Sequence, residues 1–396
     1  MLTAKSIFIL GRQPALGIAE LESLYEPNNL EPAGEKVLLS NIDASSVDFE
    51  RLGGSVKLAK ILFEIEATSW SGIHNFLTKR SADLPFGNNA SKSRLGISAV
   101  GIDTNPRALI ELGLTIKRLL KKTGRSIRVV PNTAMELNSA QVIHNKLTGM
   151  GGLELVLVRH GNKTIIAQTV AEQNITLYSQ RDFYRPKIDL KVGLLPPKLA
   201  QILINLAAGT TSRAPKLILD PFCGSGVLVQ EALLMGYTAI GSDIAPKMIK
   251  ACEENLNWLT KTRRLDNSRY ELLVADATKY QWKQPVDFVA CETYLGEHLS
   301  ESSTGELLAG TIAECTRIIS GFLRNIRPQL TSGTRLCLAV PAWYISPNKF
   351  KHLPFIDQIE DLGYIRVSFE CVSTAELVYF RTGQSVAREL LVLSKI

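Results

Sequence analysis

From residue 216 onward, short apolar runs alternate with helical runs, and this alternation most constrains the fold. KLILD (216–220), YTAIGSD (237–243), YELLVADA (270–277), VDFVACE (286–292) and TRLCLAVP (334–341) read as strands. VLVQEALLMG, APKMIKACEENLNWL and ELLAGTIAECTRIISGFLRNI read as the helices between them. Gly236 stops the first helix and Pro246 opens the second. Strands that are apolar throughout and separated by helices must be covered on both faces, which predicts a parallel, doubly wound α/β sheet. A further helix is expected near 350–362. The strands YIRVSFECV and ELLVLS then follow with no helix between them, so they should run antiparallel.

The chain before residue 200 reads as α+β. SIFIL, KVLLS and KLAKILFEIE are strand-like, IAELESLY is helical, and a first unit is expected over 1–66. A second unit is expected over 67–172, built from LGISAVGI, the amphipathic helix PRALIELGLTIKRLLKKTG, SIRVV and two late strands. Residues 173–200 then form a linker and a first helix, and 201–396 the sheet domain. The net charge of +7 is uneven: −4 over 1–69, +9 over 70–190 and +2 over 191–396. A basic middle block beside a near-neutral half suggests a polyanion partner, with Lys117, Lys121, Lys122, Arg125 and Arg128 as its contacts. The plainer alternative is a solubilising surface. No run of 18 apolar residues occurs, so no membrane span is expected. The six cysteines are scattered, no two within four residues of each other, as are the five histidines. That pattern suggests reduced thiols in a cytoplasmic protein and no structural metal.

The sharpest local signal is Asp220-Pro221-Phe222-Cys223-Gly224-Ser225-Gly226, directly after a strand and opening a helix. Gly224 and Gly226 let a ligand approach the backbone, and the helix start adds partial positive charge. A dinucleotide fingerprint would place a third glycine where Val229 stands. Asp220 also disfavours a nearby pyrophosphate. An acid beside a glycine loop suits a ligand that bears a cation, such as S-adenosylmethionine. Asp243 closes the next strand, 19 residues after Gly224, the spacing of a carboxylate that accepts ribose hydroxyls. Asp276 ends the third strand, where it can take the adenine amine or cap a helix.

D-P-F-C-G-S-G resembles the cofactor loop of the S-adenosylmethionine-dependent RNA methylase superfamily. Tyr178-Ser179-Gln180-Arg181-Asp182, Arg185-Pro186, Asp189 and the run from Gly193 to Gln201 resemble the linker and first catalytic helix of the THUMP-domain tRNA guanosine methyltransferases. GRQPALGIAELESL and LNSAQVIHNKL are similar to that family too. The resemblance implies a ferredoxin-like unit, a THUMP domain that grips tRNA, and a Rossmann-like domain that methylates the exocyclic amine of a guanosine. It also implies that Pro196, and Phe222 in the loop, border the cofactor. Where the family has D-P-P-Y-G after its fourth strand, this chain has Glu292-Thr293-Tyr294-Leu295-Gly296. Glu292 keeps the acid position and Gly296 the glycine. Both prolines are gone and the aromatic stands one place earlier. Glu292 and Tyr294 are thus the candidate catalytic residues, Tyr294 either stacking on a flipped base or packing in the core. Two other readings stay open: a non-catalytic RNA-binding protein that retains the cofactor fold, and a DNA amine methyltransferase.

Overall fold

The computed structural model describes residues 2–86, 93–188, 194–210, 216–297, 305–347 and 349–396. Asp189 and Gly193 of the linker motif lie outside these. In chain order the elements are β1 (Ser6–Leu10), α1 (Pro14–Tyr25), β2 (Leu30–Pro32), β3 (Val37–Ser40), β4 (Ser55–Ile65), α2 (Trp70–Lys79), β5 (Ser93–Val100) and α3 (Pro106–Lys122). Then come β6 (Ile127–Val129), α4 (Ser139–His144), β7 (Gly152–His160), β8 (Lys163–Glu172), α5 (Ile175–Phe183), α6 (Pro197–Ala208), β9 (Leu217–Asp220) and α7 (Val227–Leu234). The rest is β10 (Thr238–Asp243), α8 (Pro246–Arg263), β11 (Tyr270–Val274), β12 (Phe288–Glu292), α9 (Gly305–Ile326), β13 (Arg335–Ser346), β14 (Lys349–Lys351), β15 (Tyr364–Arg366), β16 (Val378–Tyr379) and β17 (Val386–Lys395). The chain divides into two compact units.

The first unit holds most of residues 1–177 and one sheet in the order β2-β3-β1-β4-β8-β7-β5-β6. The expected border at 66/67 falls just after β4, which pairs with β1 on one side and β8 on the other, so a single sheet runs across it. On β7, Leu153, Leu155 and Leu157 pack with α2 and α3, while Val156 and Val158 pack with Ile7 and Ile9 of β1. That is the two-residue alternation of a strand with cover on both faces. Helix α3 starts at Pro106 behind an Asn105 cap. It buries Leu109, Leu112, Ile116 and Leu120 and leaves Lys117, Arg118, Lys121 and Lys122 exposed.

The second unit holds residues 178–396 together with 15–27 and 51–54. Helix α1, expected in the N-terminal unit, thus joins this one. Leu16 and Ala19 share a core with Leu199, Leu203 and Leu206 of α6. The buried Glu20 carboxylate accepts hydrogen bonds from the Gly53 and Gly54 backbone N–H groups and from Asn205. The sheet runs β11-β10-β9-β12-β13-β17-β15, with β14 on β13 and β16 on β17. It is parallel from β11 to β13, and β17 runs antiparallel to both β13 and β15. This is the expected Rossmann-like α/β sheet with an antiparallel closing strand.

Two stretches differ from the sequence reading. Residues 349–351 form a strand and 354–362 a 3₁₀ segment in place of one helix. Strand β13 also continues through Pro341 to Ser346. Its neighbour β12 ends at Glu292, opposite Ala339, and β14 takes up that side only from Trp343, so Pro341 falls between the two ladders and its missing N–H breaks no rung.

Candidate active site at the carboxyl edge of the sheet

The chain leaves β9 for β10 and β11 on one side and returns to β12 and β13 on the other. The crevice therefore opens between the carboxyl ends of β9 and β12, where strand order reverses. Asp220 ends β9 and Glu292 ends β12.

The cofactor-type loop is tied to β10. Cys223 N–H donates to Ser242 O at 2.9 Å, and Gly224 N–H donates to Asp243 Oδ2 at 3.0 Å. Asp243 Oδ1 accepts from Ala245 N–H at 2.9 Å. Gly226 opens α7 at φ +86° with no side-chain cap, and a Cβ there would lie 2.3 Å from Cys252 Sγ. Only glycine fits that position, and the first turn of α7 has no capping side chain. Asp220 is buried and accepts from Phe222 N–H at 3.2 Å. Burial pushes its carboxyl well above the usual range, and the nearby carboxylates of Asp243 and Glu292 add to the shift. Three acids thus stand near one another at this edge of the sheet.

Asp276 lies past β11. Its Oδ1 accepts from Thr278 N–H at 2.9 Å and from Thr278 Oγ1 at 2.6 Å, and its Oδ2 is 3.2 Å from Lys279. The Thr278 hydroxyl leads in holding its carboxyl below the ordinary value. Asp276 thus closes a turn over 277–279 and caps no helix. Pro196 is buried at the start of α6, and Phe222 packs edge-on to Phe322 at 5.4 Å.

The altered motif has a consistent physical form. Thr293 N–H donates to Ala339 O at 3.0 Å, and its hydroxyl reaches the same oxygen at 3.2 Å. A proline at 293 could not make the first bond, so the backbone here extends the β12–β13 ladder by one residue. Gly296, at φ +85°, sits where a Cβ would be 2.4 Å from Thr311 Cγ2. Tyr294 is half-buried against the core cluster that holds Ile312 and Cys315 of α9, with Glu314 near its hydroxyl. Glu292 accepts from Arg388 Nε, and the side chains are 15% and 5% exposed. Burial pushes the Glu292 carboxyl up, against the pull of Arg388.

The basic residues belong to the first unit. Lys117, Lys121 and Lys122 share the exposed face of α3, and Arg128 is exposed on β6. Arg125 is partly occupied: it donates to Phe86 O at 3.3 Å and lies over the Phe86 ring at 5.6 Å.

Two residues at the crevice escaped the sequence reading. Arg388 is one, and its signal was a lone arginine in the apolar closing strand, which demands a partner when buried. Ile244 is the other, 68% exposed directly after Asp243, an apolar surface at a ligand-facing edge. Among the described residues, no three His, Cys, Asp or Glu side chains gather as a metal site, and no helix is long and apolar enough to cross a membrane.

Residues 184–339 match the family model described as an RMKL-like methyltransferase domain. Over 162 residues the chain is 30% identical to a tRNA (guanine(10)-N2)-dimethyltransferase of Methanothermobacter thermautotrophicus, covering 41% of each chain. Over 202 residues it is 28% identical to the enzyme of the same name from Pyrococcus abyssi, covering 47% of this chain and 58% of that one. The chain thus spans about half the length of these relatives. The crystal structure of TrmN from Thermus thermophilus matches 99% of this chain and 100% of its own, with a TM-score of 0.55 and 18% identity, which is a likeness of fold.

Proposed function

We propose that this chain is an S-adenosylmethionine-dependent methyltransferase acting on the exocyclic amine of a guanosine in tRNA, in the cytoplasm. One observation carries the reading: a glycine loop and three acids, Asp220, Asp243 and Glu292, at the switch point of a Rossmann-like sheet. The match of residues 184–339 to a methyltransferase model and the names of the relatives support it.

The residues present fit the cofactor. An acid-rich crevice favours a ligand with a sulfonium charge. An ionised carboxylate has about four acceptor sites, and Asp243 uses two on backbone N–H groups, leaving two for ribose hydroxyls. Ile244 offers an apolar face to the adenine, and Asp276 Oδ2 an acceptor for its amine. The first-turn N–H groups of α7 suit the methionine carboxylate. Pro196 and Phe222 border the same pocket. The cofactor supplies an electrophilic methyl group.

The protein's own work is then to hold the amine in line and stabilise the charge it gains. Glu292 accepts a hydrogen bond from the amine through the oxygen that Arg388 leaves free, and Tyr294 contacts the base. Arg388 fixes the carboxylate's direction. Burial raises the proton affinity of Glu292, which suits it to take up the proton the amine sheds. Residues 67–172 act as a THUMP-like tRNA-binding part beside a ferredoxin-like N-terminal part. Lys117, Lys121, Lys122, Arg125 and Arg128 meet phosphates. The free cysteines accord with a reducing compartment.

A second reading has its own observation: Thr293 holds the motif against β13, and Glu292 is already paired. A non-catalytic RNA-binding protein would look the same. Incubation with methyl-labelled cofactor separates these readings. Label in tRNA but not in DNA supports the proposal, and label in DNA favours a DNA amine methyltransferase. Binding of both cofactor and tRNA with no transfer supports the non-catalytic reading.

A further inference from the structure

The far end of β13 lies beyond the residues assigned to the cofactor, and its composition is unusual. Beyond Ala339 the strand overhangs the carboxyl edge and pairs antiparallel with β14, Tyr344 opposite Phe350. Three rings gather there. Tyr344 and Phe380 stack with centroids 5.0 Å apart and planes 3° from parallel, and Phe350 meets them edge-on at 6.0 and 5.4 Å. Tyr344 is 41% exposed and the neighbouring Ile345 62%. Lys349, Lys351 and Arg381 surround the rings and are all exposed, with Arg381 over the Tyr379 ring at 5.6 Å. Residues 340–352 and 378–388 contain no acid.

The nearest acid in the chain, Glu389, is buried and paired with His352 and Arg366, so an exposed Tyr344 on half-buried Phe350 and Phe380, among exposed cations, forms a surface for a polyanion whose bases can stack. A protein partner would be met by a less charged centre. The surface is also continuous with the active edge. Tyr344 lies five residues beyond Ala339, the register partner of Glu292, or roughly 17 Å along the strand at about 3.3 Å per residue. That is too far for the target base and suits its neighbours in the same strand.

We propose that the β13–β14 hairpin, with Phe380, is a stacking platform for unpaired nucleotides flanking the one presented to the crevice. This rests on the reading of the chain as an RNA methyltransferase. The lysines and Arg381 hold the phosphates, and Tyr344 takes a base on its open face.

The test uses the full chain and a labelled, unstructured oligoribonucleotide of about ten nucleotides, read by fluorescence anisotropy beside intact tRNA. Tyr344→Ala should weaken oligonucleotide binding about 5- to 140-fold, the range for loss of one base stack, and leave cofactor affinity unchanged. Tyr344→Trp should restore binding, whereas Tyr344→Leu, which keeps apolar packing, should not. Replacing Lys349 and Lys351 together with Ala should lower the slope of log affinity against log salt by about 1.4, at about 0.7 per phosphate on a single strand. Unchanged oligonucleotide affinity in Tyr344→Ala and Tyr344→Leu, with methyl transfer intact in the parent, overturns the platform alone. A parent protein that binds no RNA overturns the platform and the methyltransferase reading together. A dimer of the parent that dissociates in Tyr344→Ala assigns the surface to a second copy of the chain and also overturns the proposal.

Discussion

Each unit buries a cluster of charges, and the two clusters are finished differently. In the first unit, Lys57 reaches Glu154 at 2.6 Å and Leu137 O at 2.7 Å. Ser98 and Thr169 donate to the same glutamate, and Glu172 lies 3.8 Å from the lysine. These groups turn inward: Glu154 is closed by its own partners, and the buried Glu172 carboxylate leans on the lysine's charge without a close hydrogen bond. In the second unit, Asp220, Asp243 and Glu292 lie at the carboxyl edge of the sheet, and among the described residues only Arg388 is their ion-pair partner. The first arrangement fixes a fold. The second leaves negative charge and acceptor sites to be met from outside. Buried charge alone therefore does not mark a site; what marks it is buried charge left incomplete at an open edge.

Breaking the closed cluster should have the largest effect. Lys57→Met strands two buried carboxylates and should lower the stability of the first unit by about 3–5 kcal/mol, seen as an earlier denaturant transition with cofactor affinity unchanged. A shift under 1 kcal/mol would mean the cluster is not closed as described.

Next comes the open cluster. Glu292→Gln keeps the size and one acceptor oxygen but removes the charge. Turnover should fall about 10²–10³-fold, as for loss of one electrostatic stabiliser, with cofactor affinity nearly constant. Similar turnover per folded molecule would assign Glu292 to its ion pair with Arg388 and nothing more.

The closed cluster also makes a pH prediction. Two glutamates share one lysine, and burial first of all pushes the Glu172 carboxyl up from 4.5 to about 7. The native state therefore holds this proton more tightly than the unfolded chain does. The stability it contributes is complete below pH 4.5 and is lost as pH rises through about 7. The loss is at most about 3 kcal/mol, and Glu172→Gln should flatten that part of the stability–pH curve. An unchanged curve would remove Glu172 as its source.

The smallest effect should come from Asp243→Ala, which removes the two acceptor sites that the backbone N–H groups leave for the ribose. Cofactor binding should weaken by about 1–3 kcal/mol in calorimetry. Unchanged affinity would take Asp243 out of the site.

What the sequence made legible was local. The loop 220–226, Asp243 and the strand–helix alternation from β9 to β13 are each contained within a few tens of residues; the loop lies between β9 and α7, and Asp243 ends β10. What it hid was long-range. Arg388 finds Glu292 across 96 positions. Strand β4 takes its partner from β8, about a hundred residues on, so the border at 66/67 carried no signal of a continuing sheet. Pro341 reads as a strand end, yet it is harmless once β12 has stopped. Thr293 gave notice of a changed motif, but only its bond to Ala339 shows how the backbone uses the change.

The central claim is that the open cluster serves transfer of a methyl group to a guanosine amine. The most direct measurement is nucleoside mass spectrometry of tRNA after incubation with the protein and methyl-labelled S-adenosylmethionine. Label should appear in guanosine methylated on its exocyclic nitrogen and be strongly reduced in Glu292→Gln. Label in adenosine or on a ring carbon, or none in any tRNA although both ligands bind, would contradict it.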